Sequence, residues 1–103
     1  LANNERLQIL FILQEALSNI RKHAQCTQVK VRALNRANFD LTIEDNGIGF
    51  DPQQVQSTAQ KHIGLNIMQE RASRIHAQFD IHSQLNQGTT IKLHLSQEQR
   101  QKA

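Results

Sequence analysis

The chain has 103 residues, 38% of them hydrophobic and 20% charged, with a formal net charge of +3. That is the size of one domain, spanning 1–103, in which about 60–65% of the unfolded surface is buried. The positive charge is scattered and the chain has no Trp or Tyr, which argues against a nucleic-acid platform, where cations alternate with stacking rings.

Asn3 or Asn4 is placed to cap a first helix. Leu7, Leu10, Leu13, Leu17, Ile20 and Ala24 recur at helical spacing, and Ile9, Ile12 and Ala16 widen the stripe. The helix is expected to be well buried and to end near Gln25. The single cysteine, Cys26, cannot form an internal disulfide and reads as a small, part-buried residue at that helix end. Val29, Val31 and Ala33 alternate with Lys30 and Arg32, which predicts a half-buried strand. After a polar turn, Phe39, Leu41 and Ile43 alternate with Asp40, Thr42 and Glu44 and close a hairpin. Lys30 and Arg32 then share a face with Asp40, Thr42 and Glu44, where cross-strand charge pairing explains them. Asp45-Asn46-Gly47-Ile48-Gly49 is a turn. Asp51-Pro52 predicts a short helix through Val55. Ser57 to Ile63 has no period and reads as a loop. Gly64 is expected to open a second long helix with Leu65, Met68, Ala72 and Ile75 on one face. Phe79, Ile81 and Leu85, then Ile91, Leu93 and Leu95 after Asn86-Gln87-Gly88, predict a closing hairpin. Ser96 to Ala103 is polar and expected to fray. No run reaches the ~18–20 apolar residues of a membrane span, and no signal peptide is visible. The chain opens on Leu1 rather than Met, and is expected to be a piece of a longer protein. Two hairpins covered on one face by helices make a two-layer α+β sandwich.

Four places can carry chemistry. Glu15, Asn19, Lys22 and His23 stand at i, i+4, i+7 and i+8, one polar stripe beside the apolar face. An amide oxygen such as that of Asn19 suits Mg²⁺, a nearby Glu can order a metal-bound water or act as a base, and Lys22 can meet a phosphate. Asp45 ends a strand, where its carboxylate can accept from the exocyclic amine of adenine, while Gly47 and Gly49 let the backbone approach a flat ligand. Gly64, at the expected helix start, offers backbone N–H groups to a phosphate, with Lys61 and His62 just before it. Gly88-Thr89-Thr90 brings hydroxyls to the start of the last strand. Each feature alone is also what a solvated helix edge or an ordinary turn shows. The glycine spacing is neither the dinucleotide fingerprint nor a Walker loop. His76, His82 and His94 fit no metal-ligand spacing.

Taken together and in this order, the four features resemble the ATP-binding domain shared by histidine kinases, gyrase, heat-shock chaperones and mismatch-repair ATPases (the Bergerat, or GHKL, fold). Gln14-Glu15-Ala16-Leu17-Ser18-Asn19-Ile20-Arg21-Lys22-His23-Ala24 resembles the N box, and Asp45-Asn46-Gly47-Ile48-Gly49-Phe50 the G1 box. His62-Ile63-Gly64-Leu65 with Met68-Gln69-Glu70-Arg71-Ala72 resembles the G2 region, and Gly88-Thr89-Thr90-Ile91 the closing Gly-Thr motif. The short lid and the Gly-Leu…Met…Glu-Arg-Ala pattern look most like sensor kinases of the nitrate/nitrite type. The resemblance covers nearly the whole chain. It implies helices on one face of a mixed, mainly antiparallel sheet. That sheet usually has one more strand before the first helix. Leu1 to Arg6 is too short and polar to supply it, so an uncovered sheet edge is expected.

By this resemblance, Asp45 holds the adenine amine, Gly47 and Gly49 line the base pocket, and Thr89 joins its polar network. Asn19 ligates Mg²⁺ bridging the phosphates, and Glu15 either supports it or, as in ATPases of the family, activates water. Lys22, His23 and His62 lie near the phosphate tail. Asp51 to Ile63 forms a mobile lid, with Gly64 and Leu65 at its far hinge. Arg71, on the polar side of its helix and beside Glu70, reads from the sequence as structural. The implied activity is transfer of the γ-phosphoryl group of ATP to a histidine on a separate dimerisation domain, and thence to a response regulator. The implied setting is a cytoplasmic domain, without membrane contact of its own, in a kinase anchored in the bacterial inner membrane. The five histidines present do not stand in the family's acceptor context, so the isolated domain is not expected to autophosphorylate. Alternatives of other classes are an ATPase of the same fold, an anti-sigma-type serine kinase, and a nucleotide-free interaction module.

Overall fold

The computed structural model describes residues 1–49 and 59–100, excepting the side chains of 23, 24 and 59–64. Helix α1 (Asn3–Asn19) continues into one π-helical turn (Ile20–Ala24). Strands β1 (Val29–Asn35) and β2 (Phe39–Asp45), helix α2 (Ala59–Arg74), and strands β3 (Gln78–Gln84) and β4 (Gly88–Leu95) follow. The sheet order is β1-β2-β4-β3, and all three pairings are antiparallel. The two expected hairpins are present. They join through β2 and β4, so the closing strand lies in the middle of the sheet.

The period-2 pattern puts one face of each strand under the helices. Phe39 faces Leu95, Leu41 faces Leu93 and Phe79, and Ile43 faces Ile91 and Ile81 across the strands. These apolar rows pack with Ile9, Ile12 and Ala16 of α1 and with Met68, Ala72 and Ile75 in and just after α2 to form the core. The face of α2 read from its spacing is the one buried, with Leu65 partly covered. The opposite face of the sheet carries the polar phase. Lys30 stands opposite Glu44 and Arg32 opposite Thr42, as the hairpin predicts. The side-chain contact formed by Asp40, however, goes to the His94 ring on β4.

The structure differs from the sequence pattern in several places. In α1 the buried face is Glu5, Ile9, Ile12 and Ala16, while Leu7, Leu10 and Leu17 are exposed. The helix is apolar most of the way round, so spacing alone cannot select its inward side. The small Ala16, fully buried, lies on the face that packs against the rest of the core. Ala2, not Asn3 or Asn4, precedes the first helical turn. Its N–H donates to Glu5 Oε1 at 2.9 Å, the half of a capping box that a carboxylate supplies. Strand β1 is exposed along its whole length rather than half-buried, because the helical layer leaves it bare. Val31 is 48% exposed.

Helix α2 begins at Ala59, so residues 59–63 are helical rather than loop, and Gly64 lies in the second turn instead of opening the helix. The expected short helix through Val55 and most of the expected lid lie outside the described residues. Leu85 falls in the turn after β3 and is 56% exposed. Glu70 pairs with Arg74 at 2.8 Å, one turn on, rather than with Arg71. Arg71 reaches α1 instead, stacking 4.4 Å over the Phe11 ring and donating to Gln8 Oε1, a structural role as expected.

Residues 96–100 are tied down rather than frayed. Gln97 N–H donates to Asn38 Oδ1 at 2.8 Å, and the Arg100 guanidinium donates to the Arg36 and Ala37 carbonyls. No helix among the described residues is long and apolar enough to cross a membrane.

Candidate functional site

The inward rows of the sheet change character at one end. Beyond the Ile43–Ile91–Ile81 row comes Asp45 on β2, opposite Thr89 on β4, opposite Ser83 on β3. Three polar side chains thus take the positions that the strand period reserves for core residues. Asp45 and Thr89 are part-buried and Ser83 is 8% exposed. Ser83 Oγ donates to the Gly88 carbonyl at 3.2 Å and lies 2.8 Å from Thr89 Oγ1. No motif in the sequence marks Ser83. Its one signal is a hydroxyl in the inward phase after Phe79 and Ile81, and only the strand register shows what it touches.

The loop after β2 closes over this row. Asp45 Oδ1 accepts the Gly47 N–H at 2.8 Å, an Asx turn that starts the bend. Gly49 has φ +62, and a Cβ there would lie 2.2 Å from the Gln84 carbonyl oxygen. Gly88 has φ +93, and a Cβ there would lie 2.1 Å from the Asp45 carbonyl oxygen. Both positions need glycine for conformation and for space. Asn86 N–H donates to the Ile48 carbonyl, which pins the loop to the β3–β4 turn. Gly47 and Gly49 are buried. The carboxylate, the two glycines and Thr89 named from sequence are therefore brought together at one sheet end.

The end of the helical segment is fastened to the same loop by Asn46, a second residue without an assigned role in the sequence reading. Its Oδ1 accepts the N–H groups of Thr27 and Gln28, both at 3.0 Å, and its Nδ2 donates to Thr27 Oγ1 at 2.9 Å. Glu15 and Asn19 are part-buried on the last turns of α1. The π turn begins directly after Asn19 and ends where Gln25 adopts φ 50. A π turn adds a residue to the helical repeat, so Lys22 leaves the α-helical phase of Glu15 and Asn19. Lys22 is exposed, and the His23 and His62 side chains lie outside the described residues. Gly64, inside α2, has its N–H in the helical ladder rather than free for a phosphate. Leu65 packs partly against the core.

Oxygen donors from a part-buried Asn and a Glu one turn before it are the hard ligands that Mg²⁺ takes beside water and phosphate. Among the described residues, no three His, Cys, Asp or Glu side chains gather as a metal cluster. His94 meets Asp40, and His76 and His82 are exposed.

A family model described as histidine kinase-, DNA gyrase B-, and HSP90-like ATPase matches residues 4–99. The chain is 34% identical over 91 residues to a sensor protein NarQ homolog of Haemophilus influenzae, a match covering 86% of this chain and 16% of that protein. It is 40% identical over 83 residues to the sensor protein VraS of Staphylococcus saprophyticus, covering 80% of this chain and 23% of that one. The chain thus spans less than a quarter of these sensor proteins. The solved histidine kinase domain of the blue-light activated histidine kinase EL346 from Erythrobacter litoralis superposes with a TM-score of 0.74 at 18% identity. That superposition covers 93% of this chain and 46% of the other, and at such identity it shows the fold. The chain belongs to the histidine kinase-, DNA gyrase B- and HSP90-like ATPase family and is the ATP-binding catalytic domain of the sensor histidine kinase type.

Proposed function

We propose that this domain holds ATP with Mg²⁺ between the Asp45 end of the sheet and the end of α1. There it presents the γ-phosphoryl group to a histidine on the dimerisation domain of the same kinase, which passes it to a response regulator. The observation that carries the reading is the polar row Asp45–Thr89–Ser83 under a loop whose two close approaches exclude any side chain at Gly49 and Gly88. A flat base fits against such a backbone, and an acceptor carboxylate suits its amine.

In this reading Asp45 accepts from the adenine amine, Gly47 and Gly49 form the pocket floor, and Thr89 completes its polar edge. Asn19 supplies the amide oxygen for the metal, with Glu15 one turn before it as support. Asn19, supported by Glu15, would hold the Mg²⁺, which would supply charge compensation for the phosphates. Lys22, His23 and His62 lie toward the phosphate tail, and Gly64 and Leu65 belong to the helix bordering it. The transfer moves the γ-phosphorus from the bridging oxygen of ADP to an imidazole nitrogen, so the protein's part is positioning and charge compensation. The parent kinase is anchored in the inner membrane with this domain in the cytoplasm. Nitrate or nitrite is the signal suggested by the NarQ-type likeness. VraS is 40% identical over 83 residues against 34% over 91 for the NarQ homolog, so the reading rests on the nucleotide site and not on the signal.

The test is calorimetric titration with ADP and a nonhydrolysable ATP analogue, with and without Mg²⁺, on wild type and Asp45→Asn. Saturable binding that Asp45→Asn weakens by about tenfold or more supports the site. A folded wild type that binds no nucleotide overturns it in favour of an interaction module. Rapid ATP hydrolysis by the domain alone would favour the ATPase reading. Phosphate from labelled ATP appearing on the isolated domain would contradict the external acceptor.

A further inference from the structure

In Asp45-Asn46-Gly47 the two polar side chains divide their work. Asp45 Oδ1 closes the local turn by accepting the Gly47 N–H. Asn46 is equally suited to a local turn, yet its side chain goes to a segment 18 and 19 residues away. Its Oδ1 accepts the Thr27 and Gln28 N–H groups, and its Nδ2 donates to Thr27 Oγ1. Its backbone N–H donates to the Gln28 carbonyl at 3.3 Å. The β1–β2 ladder begins at Val29, opposite Asp45, so these bonds extend the attachment beyond the ladder toward the helix. Only Gln25 and Cys26 separate the fastened pair from the end of the π turn at Ala24, and Gln25 is held at φ 50. The π turn itself begins directly after Asn19. Asn46 thus stands between Asp45 and Gly47 on the base side and holds the chain that leaves Asn19 on the other. It is exposed, so these bonds and not packing set its orientation.

We propose that Asn46 is a positioning residue that fixes the metal-binding end of α1 against the base pocket, so that a nucleotide gripped at its base presents its phosphates where Asn19 holds Mg²⁺. The inference rests on the nucleotide site proposed above. It makes the metal's contribution to affinity depend on a residue whose side chain is committed to protein partners. A ligand held at two places gains from the second contact only when both are kept at the separation it spans. With the amide removed, each end can still meet its own part of the nucleotide. Ordering the two ends relative to one another then takes place on binding and lowers affinity.

The experiment is calorimetric titration of the whole chain with ADP, with and without Mg²⁺, on wild type, Asn46→Ala and Asn46→Asp. Mg²⁺ is expected to tighten ADP on wild type. Asn46→Ala is expected to cut that gain by about three- to tenfold, with metal-free affinity lowered by about threefold or less. Asn46→Asp keeps acceptors for both N–H groups and can take a hydrogen from the Thr27 hydroxyl, and is expected to restore the gain. An asparagine that only supports the glycine loop would weaken ADP by the same factor with and without metal. A gain unchanged in Asn46→Ala, or one that Asn46→Asp fails to restore, overturns this inference and leaves the nucleotide site standing. A wild type that binds ADP with no gain from Mg²⁺ overturns it together with the metal placement, and a folded wild type that binds no nucleotide overturns the site as well. Amide exchange of the nucleotide-free protein reads the same joint without a ligand. Thr27 and Gln28 should exchange about three- to tenfold faster in Asn46→Ala, and unchanged exchange there overturns the inference. Should Asn46→Ala fail to fold, Asn46→Ser, one bond shorter, is read for the same gain.

Discussion

The two ends of the sheet are built from the same strands and are opposite in character. At the Phe39–Leu95 end the inward positions are apolar and buried. The outside of that end is fastened by the chain's own tail, with Gln97 bonded to Asn38 and Arg100 to the β1–β2 turn. At the other end the inward positions are Asp45, Thr89 and Ser83, and the backbone is drawn so tight that two glycines have no room for a methyl group. One end contributes stability through contacts made wholly within the protein. The other holds hydrogen-bonding capacity in a fixed arrangement, which is what a ligand site requires. A four-stranded sheet can serve both purposes because inward side chains follow a period of two whatever their chemistry, so a polar row replaces an apolar one without disturbing the ladder.

Substitutions at the two ends should separate these roles. The largest effect is expected for Leu95→Ala, which opens a cavity beside a fully buried side chain. A loss of about 2–5 kcal/mol in urea unfolding is expected, with nucleotide affinity little changed under conditions where the protein stays folded. Gly49→Ala comes next. Its new methyl group meets the Gln84 carbonyl at a left-handed backbone position, and about 2–4 kcal/mol should be lost in the same unfolding assay, together with nucleotide binding. Were it as stable as wild type, the claim of a rigid site end would fail. Asp45→Asn should reverse the pattern of Leu95→Ala, with stability nearly kept and ADP affinity reduced by about 1.5–3 kcal/mol of binding free energy, read by titration. The smallest effect is expected from Arg100→Ala, about 0.5–1 kcal/mol of stability and no change in binding. A change in ADP affinity on loss of Arg100 would show that the two ends are not independent.

Much of this was legible from sequence, and the failures have identifiable causes. Strict alternation in Phe39–Asp45 and Ile91–Leu95 placed both hairpins, because a strand's inward face depends only on parity. Asp45, Gly47, Gly49 and Thr89 are ordinary turn and strand-start residues when taken singly, and stand out as candidates only as features in a fixed order along the chain; the strand register then brings them to one end of the sheet. The start of α2 was misplaced because residues 59–63 lack an apolar period and Gly64 looks like a boundary, although a helix continues through it. The exposure of β1 cannot be read from Val29 and Val31, whose pattern is correct for burial. What decides it is whether another layer covers them. The π turn after Asn19 has no local signature in its side chains. Ser83, Asn46 and Arg100 act through partners set by the fold, at sequence separations of 5, 18 and 64 for the Gly88, Gln28 and Arg36 bonds. Such pairings become visible only once the strand register is known.

Asn46 has a mechanical consequence. Three hydrogen bonds from one amide side chain rivet the exit of the helical segment, at Thr27 and Gln28, to the loop that carries Gly47 and Gly49. With the Asn46 N–H also donating to the Gln28 carbonyl and β1 pairing with β2 from Val29 and Asp45 onward, removal of this one amide should loosen the helix exit and the glycine loop together, not either alone.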